Sequence, residues 1–325
     1  MGEPSGIGGE IALKAWAAKR PDTPAFFVID DAARLTALAA RFNIPCPLVT
    51  ISHPREAAAQ FKQALPVLRL EKALTTPVEL GKPSGTTAPS VIGAIEQAVV
   101  LVKSGAAAGM VTNPIHKASL MGAGFTFPGH TEYLGHLAGD IEPVMMLAVE
   151  GLRVVPVTVH MAVRDVAQNL TSELIVRRAR ITAKALQNDF GIAQPRLAIA
   201  ALNPHAGESN QMGDEETRII APAVAQLRAE GIDARGPSPA DTLFHAEARK
   251  HFDAALCMYH DQALIPLKTI DFAGGVNVTL GLPFVRTSPD HGTAFDIAAR
   301  GVADPSSLLA ALRLAGTIAT RRVNA

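Results

Sequence analysis

Residues 153–160 read RVVPVTVH, residues 197–205 read LAIAALNPH and residues 254–260 read AALCMYH. In each stretch an apolar run of strand type stops and a histidine follows within a few residues: His160, His205 and His260. The histidines are 45 and 55 residues apart, about one strand–helix–strand step or slightly more. Between them Ser172–Asp189 carries charges at helical spacing, and Asp214–Glu230 reads as a helix with acidic residues at its start and Gly231 at its end. Strands alternating with helices imply βαβ units and a mostly parallel sheet. In such a sheet the carboxyl ends of the strands line one crevice, where ligands bind. Three imidazoles delivered there suit a divalent metal. Any one of them alone reads more readily as an ordinary loop residue. The inference rests on their equivalent positions, because no short zinc signature is present.

The same alternation extends outward. Ala25–Ile29, Ala108–Thr112 and Arg196–Leu202 read as strands, and Ser306–Ala319 as a terminal helix. Ser90–Ser104 reads as a helix capped by Ser90 and stopped by Gly105. The chain has 325 residues, enough for two domains or one large α/β domain. It carries 30 Lys and Arg against 30 Asp and Glu, which argues against nucleic acid or an anionic membrane as partner. With 48% hydrophobic residues it is too apolar for disorder. The most apolar stretch, Pro143–Val159, is broken by Glu150 and Arg153, so no membrane span is expected. No basic start with an apolar core is seen, and the chain reads as cytoplasmic. Cys46 and Cys257 are far apart in sequence and exclude a disulfide scaffold.

Three further groups stand out. Lys268, Asn277 and Arg286 flank the Gly274-Gly275 turn among apolar neighbours, a pattern suited to a phosphate or carboxylate. FPGHTEYL places His130, Thr131 and Glu132 behind a Pro-Gly turn, where Thr131 reads most simply as a helix cap. The opening GEPSGIGG matches neither dinucleotide nor Walker fingerprints and reads as an exposed turn before a helix at Ile11. His116 reads equally as a site residue or a helix start. Trp16 and the methionines read as packing.

The segments MGEPSGIG, VTNPIHKASL, FPGHTEYL, LNPHAGESNQMGDEE, PADTLF, MYHDQALIPLK and GVNVTLGLPFVRTSPDHGTAFDIA resemble the 4-hydroxythreonine-4-phosphate dehydrogenase family of pyridoxal phosphate biosynthesis, from residue 1 to about 315. The resemblance implies two α/β/α domains of the isocitrate and isopropylmalate dehydrogenase type, with the active site in the interdomain cleft. The expected division is 1–125 plus 281–325, on the NAD side, and 126–280, for metal binding and dimerisation. It implies a homodimer in which His260 reaches across the interface to the metal set of His160, His205 and His260. Substrate contacts would be His130, Thr131, Lys268, Asn277 and Arg286. The stretch SPDHGTAFDIAARGVADP is similar to the NAD-binding segment of isopropylmalate dehydrogenases, which places His291, Gly292 and Asp296 near the cofactor. Asp304 stands where those relatives carry Asn. A hydrophobic strand normally precedes the GEPSGIG loop in this family, and an upstream start is the corresponding expectation.

The reaction so implied is oxidation of 4-phosphohydroxy-L-threonine with NAD or NADP and a divalent metal (Zn, Mg or Co). Decarboxylation to 3-amino-2-oxopropyl phosphate follows. Lys268 is the first candidate for general base, with Asp241 and Asp261 as alternatives; Asp261 has a second possible role in orienting His260. Imidazole donors favour zinc over magnesium and predict metal loss at acid pH. The alternatives are a threonate or erythronate 4-phosphate dehydrogenase of the same family, a three-histidine hydrolase or lyase, and a non-catalytic metal-binding protein.

Overall fold

A computed structural model describes residues 1–324 and shows a mixed α/β chain. It divides into two compact units: Met1–Glu142 with Leu282–Ala319, and Pro143–Gly281 with the last residues from Thr320. The first unit begins with α1 (Gly8–Ala17), β1 (Val28–Asp30), α2 (Ala32–Arg41), β2 (Leu48–Ile51), α3 (Ala57–Gln60), β3 (Leu65–Arg69), α4 (Ala88–Lys103), β4 (Gly109–Val111), α5 (Lys117–Gly122) and α6 (His130–Leu137). The second holds β5 (Val144–Val149), β6 (Leu152–Pro156), α7 (Val163–Asn169), α8 (Ser172–Asn188), β7 (Arg196–Ala200), α9 (Ala221–Ala229), β8 (Asp233–Ser238), β9 (Ala254–Cys257), α10 (His260–Ile270) and β10 (Val276–Leu280). The chain then returns with β11 (Val285–Pro289) and α11 (Ser306–Asn324).

In the first unit β1, β3 and β2 form a parallel sheet, and β4 pairs in parallel with β11. Leu13, Trp16, Leu35, Leu38, Leu65 and Val67 pack as one apolar cluster, and the indole of Trp16 donates to the Phe61 carbonyl at 2.9 Å. Each such large side chain contributes about 1.5–3 kcal/mol. Asp31 caps α2 by accepting from the Arg34 amide at 2.8 Å. β1 and β4 are the edge strands of their sheets, and with α4 and α11 they line a cavity of about 350 Å³.

The opening glycine-rich turn is buried rather than exposed. A Cβ at Gly2 would collide with the Pro114 carbonyl, and one at Gly6 would lie 2.7 Å from the Thr293 oxygen. α4 starts before Ser90, whose hydroxyl donates to the Ala73 carbonyl at 3.0 Å instead of capping. Gly85–Lys103 is long and apolar enough to cross a bilayer, unlike the stretch singled out in the sequence. Its Ala88, Val91, Ile95, Val99 and Val102 nevertheless belong to a core cluster with Met110 and Phe284. Segment 126–142, expected with the second domain, clusters with the first unit because Tyr133 and Leu134 join that same core.

The second unit has strand order β10-β5-β6-β9-β7-β8. β6, β9, β7 and β8 run parallel, but β5 is antiparallel to both β6 and β10. The loop Glu150–Gly151 is too short for a crossover helix, so the apolar run 143–159 folds as a hairpin. The expected helix 214–230 divides into a wide π-type turn, Glu216–Ile220, followed by α9. Both cysteines are free and buried.

Candidate active site

β6, β9 and β7 are adjacent and parallel, so the residues that follow them leave the same end of the sheet. His160 follows β6, His260 is the first residue of α10 after β9, and His205 lies in the turn Pro204–Gly207 after β7. The rings of His160 and His260 have centroids 6.0 Å apart, and His260 Nδ1 lies 2.7 Å from Asp261 Oδ1. His205 opens a run of positive φ angles that continues through Ala206, Gly207, Glu208, Ser209 and Asn210. Left-handed geometry costs about 1–2 kcal/mol for each non-glycine residue. Buried Glu216 fastens the base of this loop. It accepts the Leu202 and Asn203 amides at 2.8 Å each and the Asn203 side-chain amide at 3.0 Å. Strain held in place by a buried carboxylate is a mark of a functional loop.

The donor chemistry of three imidazoles suits a borderline divalent ion. Among the described residues of one chain, no three His, Cys, Asp or Glu side chains come together to hold one.

The first unit carries a different centre. Arg286, opposite Met110 in the β11–β4 pair, is 3% exposed, and its Nη2 donates to Thr112 Oγ1 at 2.6 Å. Burial lowers its pKa to about 10, against the opposing pull of Glu132. His130 begins α6 after Gly129. A Cβ at Gly129 would lie 3.3 Å from Glu132 Oε2 and 3.6 Å from Lys117 Nζ, so these groups crowd the helix start. Burial, then Arg286, the amino terminus and Lys117, hold the His130 pKa well below its ordinary value. Arg286 is thus a buried cation near a neutral imidazole, with Lys117 exposed, and a buried guanidinium suits an anionic partner.

The sequence profile of the pyridoxal phosphate biosynthetic protein PdxA matches residues 22–315. The 4-hydroxythreonine-4-phosphate dehydrogenase of Caulobacter vibrioides is 55% identical over 99% of this chain and 96% of that protein. The chain belongs to the PdxA family. The crystal structure of the 4-hydroxythreonine-4-phosphate dehydrogenase from Klebsiella pneumoniae superposes with a TM-score of 0.88 at 38% identity, covering 98% of each chain. A terephthalate 1,2-cis-dihydrodiol dehydrogenase from Burkholderia xenovorans follows at TM-score 0.65 and 28% identity, covering 97% of this chain and 96% of that one. PdxA membership supports an oxidoreductase role in pyridoxal phosphate biosynthesis, not the hydrolase or binding-protein alternatives.

Against this PdxA background, the cation group seen in the sequence divides between the units. Lys268 and Asn277 lie in the second and Arg286 in the first. Lys268 is half-buried on α10, eight residues after His260, with its Nζ 5.4 Å from the Phe272 ring centroid. Asn277 sits in β10 with a buried Oδ1 that has no hydrogen-bond partner. Asp241 is exposed in a short 3-10 turn. Thr131 is not a cap: Gly129 holds that position, and Thr131 lies inside α6. His116 caps α5 by position, and its Nδ1 lies 2.8 Å from Ser119 Oγ. His291 is half-buried, Nδ1 3.0 Å from the Gly292 carbonyl, with a buried Nε2 that has no partner; Gly292 and Asp296 are exposed. Asp304 accepts from the Ser306 amide and hydroxyl at 2.9 and 2.6 Å, so this carboxylate caps α11. Sequence reasoning missed Thr112 and Glu216. Their partners are remote in sequence, and neither residue type announces such a role. Of the methionines, Met121, Met161 and Met212 are exposed rather than packed.

Proposed function

We propose that the chain oxidises 4-phosphohydroxy-L-threonine at C3 to 2-amino-3-oxo-4-phosphooxybutanoate, which loses CO₂ to give 3-amino-2-oxopropyl phosphate. The observation that carries this reading is the delivery of His160, His205 and His260 by three adjacent parallel strands in a PdxA chain. His160, His205 and His260 would hold a divalent ion, zinc or another transition ion such as cobalt before magnesium, and it would supply Lewis-acid polarisation. NAD or NADP, held near His291, Gly292 and Asp296, supplies the hydride acceptor.

The chain's own residues orient the substrate and move its proton. Arg286, His130, Thr131 and Asn277 bind the substrate phosphate in this reading; the burial of Arg286 makes an anion there worth more than at a surface. His130, held neutral, offers a hydrogen bond without adding charge. Lys268 takes the C3 hydroxyl proton as hydride leaves C3, with Asp241 the alternative base. Asp261 holds His260 in one tautomer. The carboxylate then departs as CO₂, its bonding electrons passing into the new ketone as an enolate, and the proton that Lys268 took returns to C2 to give 3-amino-2-oxopropyl phosphate.

The assembly is a homodimer with the two-domain arrangement and cleft of isocitrate and isopropylmalate dehydrogenases, working in the cytoplasm. His260 of the partner subunit completes the metal set. Ile265 and Phe272, 64% and 77% exposed on and beside α10, support a partner at this face. The test is NADH formation at 340 nm from 4-phosphohydroxy-L-threonine and threonate 4-phosphate, with and without a chelator. Chelator-sensitive turnover that prefers the amino substrate is expected. Turnover of the sugar acid alone moves the enzyme to the other branch of the family, and no NADH from either substrate overturns the reading.

A further inference from the structure

Two buried side chains reinforce the pairing of the central strands at the ends of their ladders, where the Val157 and Thr158 amides still donate to the Cys257 and Met258 carbonyls at 2.7 and 3.2 Å. The β6–β9 ladder ends at Pro156↔Cys257 and the β9–β7 ladder at Ile199↔Leu256. Beyond it, Thr158, 2% exposed, donates its hydroxyl to the Met258 carbonyl at 2.7 Å. Gln262, 8% exposed, accepts the Met258 amide at 2.6 Å and donates to the Ala201 carbonyl at 2.7 Å. The chain Thr158–Met258–Gln262–Ala201 therefore ties together the ends of β6, β9 and β7. His160 and His260 stand two residues beyond Thr158 and Met258, and His205 stands four beyond Ala201.

The acceptor half of Gln262 resembles half a capping box, since it sits in the first turn of α10 and reaches back to a preceding amide. Capping does not account for the donor half, which spans 61 residues to a different strand. A buried amide with both ends satisfied fixes the spacing of two strands in a way apolar packing does not. We infer that Gln262 and Thr158 are positioning residues that, through Met258, set the separation of the strand ends bearing His160 and His205, the two ligands one chain contributes, and so the affinity for a divalent ion. This inference rests on the metal reading above.

Gln262→Met keeps the side-chain volume and removes both hydrogen bonds. Thr158→Val removes the hydroxyl at nearly constant shape, and Thr158→Ser restores it. The probe is Co²⁺ alone, titrated into the full-length protein against a competing chelator and followed by its visible absorption, with His205→Ala as control. Urea unfolding is recorded in parallel. Gln262→Met and Thr158→Val are expected to bind Co²⁺ about 10–100-fold more weakly with an altered spectrum, as for other outer-sphere partners of metal ligands, and Thr158→Ser to recover wild-type affinity. If Gln262→Met fails to fold, the Thr158 pair decides. Lower stability with unchanged Co²⁺ affinity and spectrum overturns the positioning role and leaves the metal reading standing. A wild type that binds Co²⁺ no better than His205→Ala overturns both.

Discussion

Replacing Arg286 with Met separates what this residue does for folding from what it does for binding. Its guanidinium is 3% exposed, and the fall of its pKa from the ordinary arginine value to about 10 corresponds to about 3 kcal/mol against the charged form. Glu132 pulls the other way without cancelling burial. Met fills a similar volume and removes the charge, at the loss of the 2.6 Å bond to Thr112, worth about 1.5–3 kcal/mol when one partner is charged. The relief of the buried charge and the loss of its partners nearly offset, and the ligand-free R286M protein is expected within about 1 kcal/mol of wild type. The wild-type protein should gain stability as inorganic phosphate is added, by mass action, and R286M should not. Urea unfolding midpoints with and without phosphate measure both. Loss of more than about 2 kcal/mol in the ligand-free variant, the scale of a broken buried network, would refute the reasoning, as would an equal phosphate response in both proteins.

Other residues give sharper local predictions. His130 has a depressed folded pKa, so the unfolded chain binds its proton first; stability is full above about pH 6.5 and falls below it, by up to about 1.4 kcal/mol per pH unit. The groups facing it are Arg286, the amino terminus and Lys117, and His130→Gln should flatten this acid limb in pH-dependent urea unfolding. Glu216→Ala strands the Leu202 and Asn203 amides and should cost about 2–4 kcal/mol, with faster amide exchange confined first to 202–210. If the metal set is shared between subunits, mixing His160→Ala and His260→Ala chains restores one intact site per hybrid dimer and recovers activity; a set closed within one chain recovers none.

What the sequence disclosed depended on how local the cause was. The strand ends of β6, β7 and β9 were legible because each apolar run is short and stops before its histidine. The β5–β6 hairpin was not, because Pro143–Val159 reads as one apolar stretch broken by Glu150 and Arg153 until the antiparallel partners are paired. Lys268, Asn277 and Arg286 are close in sequence, yet the two compact units divide between Asn277 and Arg286. The chain changes unit at Gly281–Leu282, and Arg286 enters a buried strand. Thr131 looked like a cap because Thr favours that position, yet Gly129 takes it in extended geometry. Glu216 resembled an ordinary acidic residue at a helix start. Its role follows from turning inward onto a loop that precedes it, which composition does not encode.

The central claim is oxidation coupled to loss of the carboxyl group. Substrate labelled with ¹³C at C1, followed by NMR for CO₂ and at 340 nm for NADH in the same cuvette sample, tests it most directly. One labelled CO₂ per NADH, with both signals abolished together in His205→Ala, is the predicted result. NADH without labelled CO₂, or turnover that survives His205→Ala, would contradict it.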